Sequence, residues 1–238
     1  MTGRSRTAYR LYQLTWSSLD WLFPPRCGGC GRSGSRWCLD CQQTTQRVLP
    51  PICPRCGQPQ FRDGLCKKCR QATPQYRALR SWGVFAGPLR NALHRLKYRR
   101  DIALGEALAR HLIEMLEALD WTIDQVVPVP LGLARQAERG YNQAALLAKP
   151  LALGCHLDYN PGSLLKIRNT PSQVGLSFEQ RWVNVAGSFE AVSKQVAGKS
   201  LLVIDDVVTS GATINACAEA LLAAGASQVY ALTLARAP

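Results

Sequence analysis

Leu201-Leu202-Val203-Ile204-Asp205-Asp206-Val207-Val208-Thr209-Ser210-Gly211-Ala212-Thr213 decides the fold of this 238-residue chain. Its four leading apolar residues, two of them β-branched, read as a buried strand of a parallel sheet. Two carboxylates follow at the carboxyl end of that strand, and then a run of small and hydroxyl residues. From Ile214 to Ala224 the apolar residues recur at helical spacing. A strand, a tight loop and a helix start make an anion cradle. The first helical N–H groups have no partner inside the helix, and the helix dipole adds partial positive charge there. Val208 to Thr213 form this cradle: Thr209, Ser210 and Thr213 supply hydroxyls, and Gly211 and Ala212 let the backbone close on a phosphate. Asp205 and Asp206 stand one loop away, placed to accept hydrogen bonds from sugar hydroxyls. Phosphate at one end and diol at the other describe a ribose 5-phosphate.

Strand and helix patterns alternate on either side of this stretch. Leu79 to Phe85 reads as a strand, and Pro88 opens a helix that runs through Lys97. Ile102 to Leu119 is helical in spacing, Gln125 to Val129 is a buried strand, and Leu131 to Leu153 is largely helical. Leu164–Ile167 and Val229–Leu234 read as further strands. Such alternation predicts an α/β fold, a mainly parallel, Rossmann-like sheet with helices on both faces. Arg135 and Arg139 lie four apart on one helical face, where guanidiniums suit phosphate oxygens. Cys155 and Cys217 each sit alone in apolar surroundings and read as small buried hydrophobes.

The front of the chain is different. Eight of the ten cysteines form four Cys-x-x-Cys pairs, Cys27/Cys30, Cys38/Cys41, Cys53/Cys56 and Cys66/Cys69. Each pair supplies half of a tetrahedral thiolate site, so the eight can hold two structural zinc ions. Sequential pairing joins the first two pairs and the last two, and closes shorter loops at less entropy cost. Interleaved pairing satisfies the same spacing. Disulfides would require an oxidising compartment, and an iron–sulfur cluster takes the same four thiolates. The expected organisation is an amphipathic helix over residues 1–23, a double zinc segment over 24–78 and an α/β body over 79–238. Tyr9, Tyr12, Trp16, Leu19 and Phe23 recur at three- and four-residue spacing, as one face of that first helix.

Net charge is +13, and residues 1–78 hold most of it, with 13 Lys/Arg against 3 Asp/Glu. A concentrated positive field attracts polyanions, nucleic acid first among them. Trp37, Tyr76 and Trp82 are candidate stacking platforms for single-stranded bases. No run of 18 apolar residues is present to cross a bilayer, and the first 23 residues do not read as a secretory signal. The expected location is the cytoplasm, with peripheral attachment at the inner membrane as an alternative.

The paired acids followed by Thr-Ser-Gly-Ala-Thr resemble the phosphoribosyl-pyrophosphate (PRPP) signature of type I phosphoribosyltransferases. Other segments extend the likeness to nearly the whole chain: Phe23-Pro24-Pro25-Arg26-Cys27, Leu96-Lys97-Tyr98, Arg139-Gly140-Tyr141-Asn142-Gln143, and Arg168-x-Thr170-x-x-Gln173 with Arg181 and Asn184. Together they resemble the ComF family of competence-associated proteins, in which phenylalanine often stands in place of Tyr141. The resemblance implies a type I phosphoribosyltransferase fold behind a zinc-binding segment. It further implies that the protein handles single-stranded DNA during natural transformation, alongside proteins of the DNA-uptake machinery.

On this resemblance Asp205 and Asp206 are the catalytic acids. The loop Pro128-Val129-Pro130 would bind pyrophosphate through backbone amides, and Mg²⁺ would accompany PRPP. Lys97, Arg135, Arg139 and Arg168 are candidate diphosphate contacts, and the segment from Lys166 to Gln173 is a candidate flap. Whether the chain turns over a substrate, and on which acceptor, is left open. Nucleobase salvage and PRPP sensing are the competing functions.

Overall fold

The computed structural model describes residues 9–15, 20, 24–168 and 178–238. Its centre is a five-stranded, all-parallel sheet. The strands are β1 (Ala78–Val84), β2 (Gln125–Pro128), β3 (Asp158–Tyr159), β6 (Ser200–Val208) and β7 (Gln228–Arg236), in the order β1-β7-β6-β2-β3. β6 and β7 lie in the middle and are buried on both faces, which is why both read as continuous apolar runs.

One face is covered by α3 (Gly87–Tyr98), α4 (Leu104–Glu117) and α6 (Gln143–Cys155). Leu104, Leu108, Leu112 and Leu116 recur every four residues on α4, so they form one stripe, and all are buried under this face. Burying each such side chain contributes about 2 kcal/mol. The other face is covered by α9 (Ala212–Ala223), with Ile214, Ala218 and Leu221 packed on Leu201 and Val203.

Several expectations are corrected. The strand of the decisive stretch does not end at Ile204 but runs on through both aspartates to Val208, because β7 pairs with it as far as Arg236. The helix expected over Leu131–Leu153 is two helices, α5 (Leu133–Arg139) and α6. Gly140 closes α5 in the left-handed region, and the Asn142 side chain accepts from the Ala144 N–H to start α6. Leu164–Ile167 does not join the parallel sheet. β4 (Leu164–Lys166) instead pairs antiparallel with β5 (Phe189–Ala191) as a separate two-stranded ribbon. Between them come α7 (Phe178–Val185) and residues 169–177, and α8 (Ser193–Val196) follows. Asn169, Thr170, Pro171, Ser172 and Gln173 of the expected flap lie outside the described residues, as do Trp16, Leu19 and Phe23 of the first helix. Residues 9–15 are helical. They sit against α4 through the Tyr9 hydroxyl and the Gln13 amide, both of which donate to Glu106.

The cysteine-rich segment carries two short helices, α1 (Leu39–Thr44) and α2 (Lys67–Gln71), each beginning directly after a cysteine. It lies along β1, the edge strand. Val48 donates to the Trp82 carbonyl (3.2 Å), Val84 to Gln46 (2.8 Å) and Leu79 to Arg55 (2.8 Å). The edge of the sheet is thereby paired rather than left open to other chains. Gly57, at φ +68°, makes this docking possible, because a Cβ there would meet the Leu79 carbonyl oxygen at 2.5 Å. Among the described residues no helix is long and apolar enough to cross a membrane.

Candidate sugar-phosphate site and zinc ribbons

The four Cys-x-x-Cys pairs assemble sequentially. Cys27, Cys30, Cys38 and Cys41 bring their sulfurs within 4.8 Å of one another, and so do Cys53, Cys56, Cys66 and Cys69. Sulfur separations of 3.6 Å (Cys27–Cys41) and 3.7 Å (Cys30–Cys38, Cys56–Cys66) match the edge, about 3.8 Å, of a tetrahedron with zinc–sulfur bonds near 2.3 Å. Backbone amides of Cys38 and Cys66 point at the Cys27 and Cys53 sulfurs (3.4 Å each), as expected around thiolates. All four positions of each site are taken by protein, which makes these structural sites.

Both knuckles are wired to the body. Arg95 of α3 donates to the Cys27 carbonyl (3.1 Å), and Asn91 to the Gly29 carbonyl (3.1 Å). Arg236, at the end of β7, is buried and donates to the Cys56 carbonyl and to Gln58. Burial and the neighbouring Cys56 and Cys69 sulfurs push the Tyr76 hydroxyl well up. That hydroxyl lies 3.3 Å from where a Cβ on Gly211 would stand. Tyr76 thus joins the second knuckle to the phosphate-type loop.

In that loop Gly211 takes φ +82° and caps α9, and the Ser210 hydroxyl oxygen accepts from the Ala212 N–H (3.3 Å). Thr209 is exposed and Ser210 half-buried, so the loop faces solvent at the N-terminus of a twelve-residue helix.

The two aspartates do not point the same way. Successive side chains of a strand alternate between faces. Asp206 follows Leu202 and Ile204 toward α3 and α6, where it is 2% exposed. Its Oδ2 lies 2.5 Å from Lys97 Nζ, and its Oδ1 accepts from Gln143 Nε2 at 3.4 Å. Gln143 in turn accepts from Arg139 (2.9 Å), whose guanidinium lies over the Tyr98 ring. Burial opposes the Lys97 charge, but Asp206 more than offsets it and leaves the amine above its ordinary value. Asp205 faces the α9 side with Leu201 and Val203, toward Lys166 and Cys217. Burial first, then the adjacent Asp206 charge, push Asp205 up to about 8.

Three of the expected contacts have partners within the protein. Lys97, expected on a diphosphate, is the counter-charge of Asp206. Arg168, expected there too, is spent on the turn after α7: it donates to Ala186 O (2.6 Å), Asn184 O (3.3 Å) and the Ser188 hydroxyl (3.2 Å). The loop Pro128-Val129-Pro130 offers no amide to an anion, since prolines have no N–H and Val129 donates to Ile204 O (2.9 Å). Arg135 is half-buried, and its charge acts on Lys166.

Lys166, Gln143 and Tyr76 take roles at this site that sequence reasoning did not give them. Gln143 stood in a quoted motif and Lys166 at the start of the expected flap, while Tyr76 reaches the phosphate-type loop only through folding. Trp82 (1% exposed) and Tyr76 (2%) are core, so neither is a stacking platform, and Trp37 is half-buried against that core. Cys217 is buried, and burial pushes Cys155 up to about 12, so neither offers a thiolate at neutral pH.

A parallel sheet that ends in an acid-bearing strand and an anion loop, behind two four-thiolate knuckles, defines a phosphoribosyltransferase-fold protein with a double zinc ribbon. Residues 18–73 match the double zinc ribbon domain family, and residues 103–238 match the phosphoribosyl transferase domain family. The chain is 34% identical over 205 residues to DNA utilization protein YhgH of Escherichia coli (strain K12), covering 84% of this chain and 89% of that one. It is 29% identical to competence protein F of Haemophilus influenzae (84% and 90% covered) and 28% identical to competence protein ComFC of Bacillus subtilis (94% and 90%). The chain belongs to the ComF family.

Proposed function

We propose that this protein binds PRPP or ribose 5-phosphate at the β6–α9 loop and handles single-stranded DNA during DNA uptake. The loop carries the reading. Gly211 in the left-handed region turns the backbone into α9, with exposed Thr209 and half-buried Ser210 beside the helix start, one strand end from Asp205. The 5-phosphate sits in Val208–Thr213, and Asp205 accepts from the ribose diol. Asp206 acts from beneath, holding Lys97 and, through Gln143, Arg139 at the mouth of the site. With Val129 engaged, the amides of Leu131 and Gly132 take the pyrophosphate, joined by Arg135, Arg139 and Lys166. The DNA role is supported by the competence and DNA-utilization relatives and by the basic front segment.

Carboxylate oxygens suit Mg²⁺. Asp206 is already committed to Lys97 and Gln143, so Asp205 is the acid that fits a dication carried in with the diphosphate. When bound, Mg²⁺ neutralises the leaving group. In transfer, a bond forms from the acceptor nucleophile to the anomeric carbon as the bond to pyrophosphate breaks, and pyrophosphate leaves with the electron pair. In its ionised form, favoured as pH rises past its raised value near 8, the carboxylate of Asp205 is placed to stabilise the positive charge that develops on the sugar.

Calorimetry with PRPP and ribose 5-phosphate on zinc-loaded protein, wild type against Asp205→Asn, tests the site. Binding that is at least tenfold weaker in the variant supports it, and equal affinity overturns it. A single-stranded oligonucleotide should bind with steep salt dependence. No binding at low salt, together with brisk pyrophosphate release on one nucleobase, would make this a salvage enzyme.

A further inference from the structure

β1, β2 and β7 run parallel, so the residues that lead into them gather at the amino-terminal end of the sheet, opposite the phosphate loop. Arg77 precedes β1, Asp120 and Trp121 precede β2, and Tyr230 lies near the start of β7, in register with Ala78. A cavity of about 440 Å³ opens there against the second zinc ribbon, walled by Arg55, Arg77, Asp120, Trp121 and Tyr230. The Trp121 and Tyr230 rings are stacked, with centroids 4.5 Å apart and planes 27° apart. The Arg80 guanidinium lies 6.0 Å from the indole centroid. Tyr230 is nearly buried while Trp121 is partly exposed, so Tyr230 braces an indole that still reaches the cavity. Arg77 is exposed, and its guanidinium makes no ion pair or side-chain hydrogen bond among the described residues. In sequence, α2 lies between Leu65 and Thr73, both of which line the cavity, and it presents exposed Lys67 and Arg70.

The geometry points to a second ligand site here, for a single strand of nucleic acid, with one base stacked on Trp121 and the flanking phosphates on Arg77 and the α2 cations. This rests on the DNA-handling reading above and gives it a location. Stacked aromatics beside cations are what an unpaired base and its backbone require. A duplex would keep its bases out of reach. The Asp120 carboxylate disfavours an acidic peptide and accepts hydrogen bonds from base N–H groups. The basic excess of residues 1–78 supplies the long-range attraction. Nine-residue β6 separates this cavity from the phosphate loop by about 30 Å, so the two ligands bind without competing.

Fluorescence anisotropy of a labelled dT20 strand on full-length, zinc-loaded protein tests the site, with ribose 5-phosphate calorimetry in parallel. Trp121→Ala should weaken dT20 about tenfold or more, the scale of one lost stacked base, and Arg77→Glu, which reverses the charge at a phosphate contact, should weaken it about as much. Trp121→Phe should retain most of the affinity, ribose 5-phosphate affinity should not change, and saturating ribose 5-phosphate should not displace the strand. Should Trp121→Ala fail to fold, exposed Arg77→Glu and the Phe variant still decide. Wild-type binding that Arg77→Glu leaves intact overturns this site while the DNA role stands. Thymidine monophosphate competing as well as dT20 overturns the strand in favour of a mononucleotide. Absence of dT20 binding to the wild type at low salt overturns the DNA role, and this site with it.

Discussion

Lys97 Nζ and Asp206 Oδ2 meet 2.5 Å apart beneath the carboxyl end of the sheet, with Asp206 2% exposed and held from its other oxygen by Gln143. The pair ties α3 to β6. Because α3 also carries Arg95, which grips the Cys27 carbonyl, one helix connects the first zinc knuckle to the acid-bearing strand.

Removing only the cation should be costly. Lys97→Met leaves a buried carboxylate uncompensated, and urea unfolding should show a loss of about 3 kcal/mol. Lys97→Met combined with Asp206→Leu should recover most of it. A double variant no more stable than the single one would contradict the pairing.

Asp205 gives the site a pH signature. Its folded-state value near 8 is raised above the ordinary carboxylate range, so the folded chain holds more protons than the unfolded chain between those limits. Stability therefore falls as pH rises toward 8. Between pH 6 and 8, without Mg²⁺, the melting temperature of the wild type should drop more than that of Asp205→Asn. Parallel slopes would refute the shift.

Gly211→Ala should damage the loop twice over. An L residue at φ +82° costs about 1 kcal/mol, and its Cβ would stand 3.3 Å from the hydroxyl of buried Tyr76. Ribose 5-phosphate affinity should fall at least tenfold by calorimetry while far-UV circular dichroism stays unchanged. Undiminished affinity would remove the loop from the site.

Zinc removal should reach beyond the ribbons. Spacing alone suggests that chelation unfolds the front segment and spares residues 79–238. The hydrogen bonds of Val48, Val84 and Leu79 along β1, and of Arg236 to Cys56, show that the ribbons cover the sheet edge. Chelation should lower the melting temperature of the whole chain and promote aggregation through the uncovered strand. A body transition that does not move on chelation would show the docking to be energetically minor.

The sequence by itself determined the elements and the chemistry carried on short stretches. Apolar runs and their periods marked β6, β7 and α9, and Cys-x-x-Cys spacing marked the zinc ribbons, because both signals are local. Sequential pairing was legible too, through the lower cost of short loops. The tertiary structure alone decided what each charge faces. Strand alternation sends Asp205 and Asp206 to opposite faces, and only packing brings Lys97, 109 positions earlier in the chain, onto Asp206. It likewise occupied Arg168 and the Val129 amide, put Trp82 in the core, and gathered Arg77, Trp121 and Tyr230 at the amino-terminal end of the sheet. Contacts between residues far apart in sequence depend on strand order and register, and no local pattern encodes either.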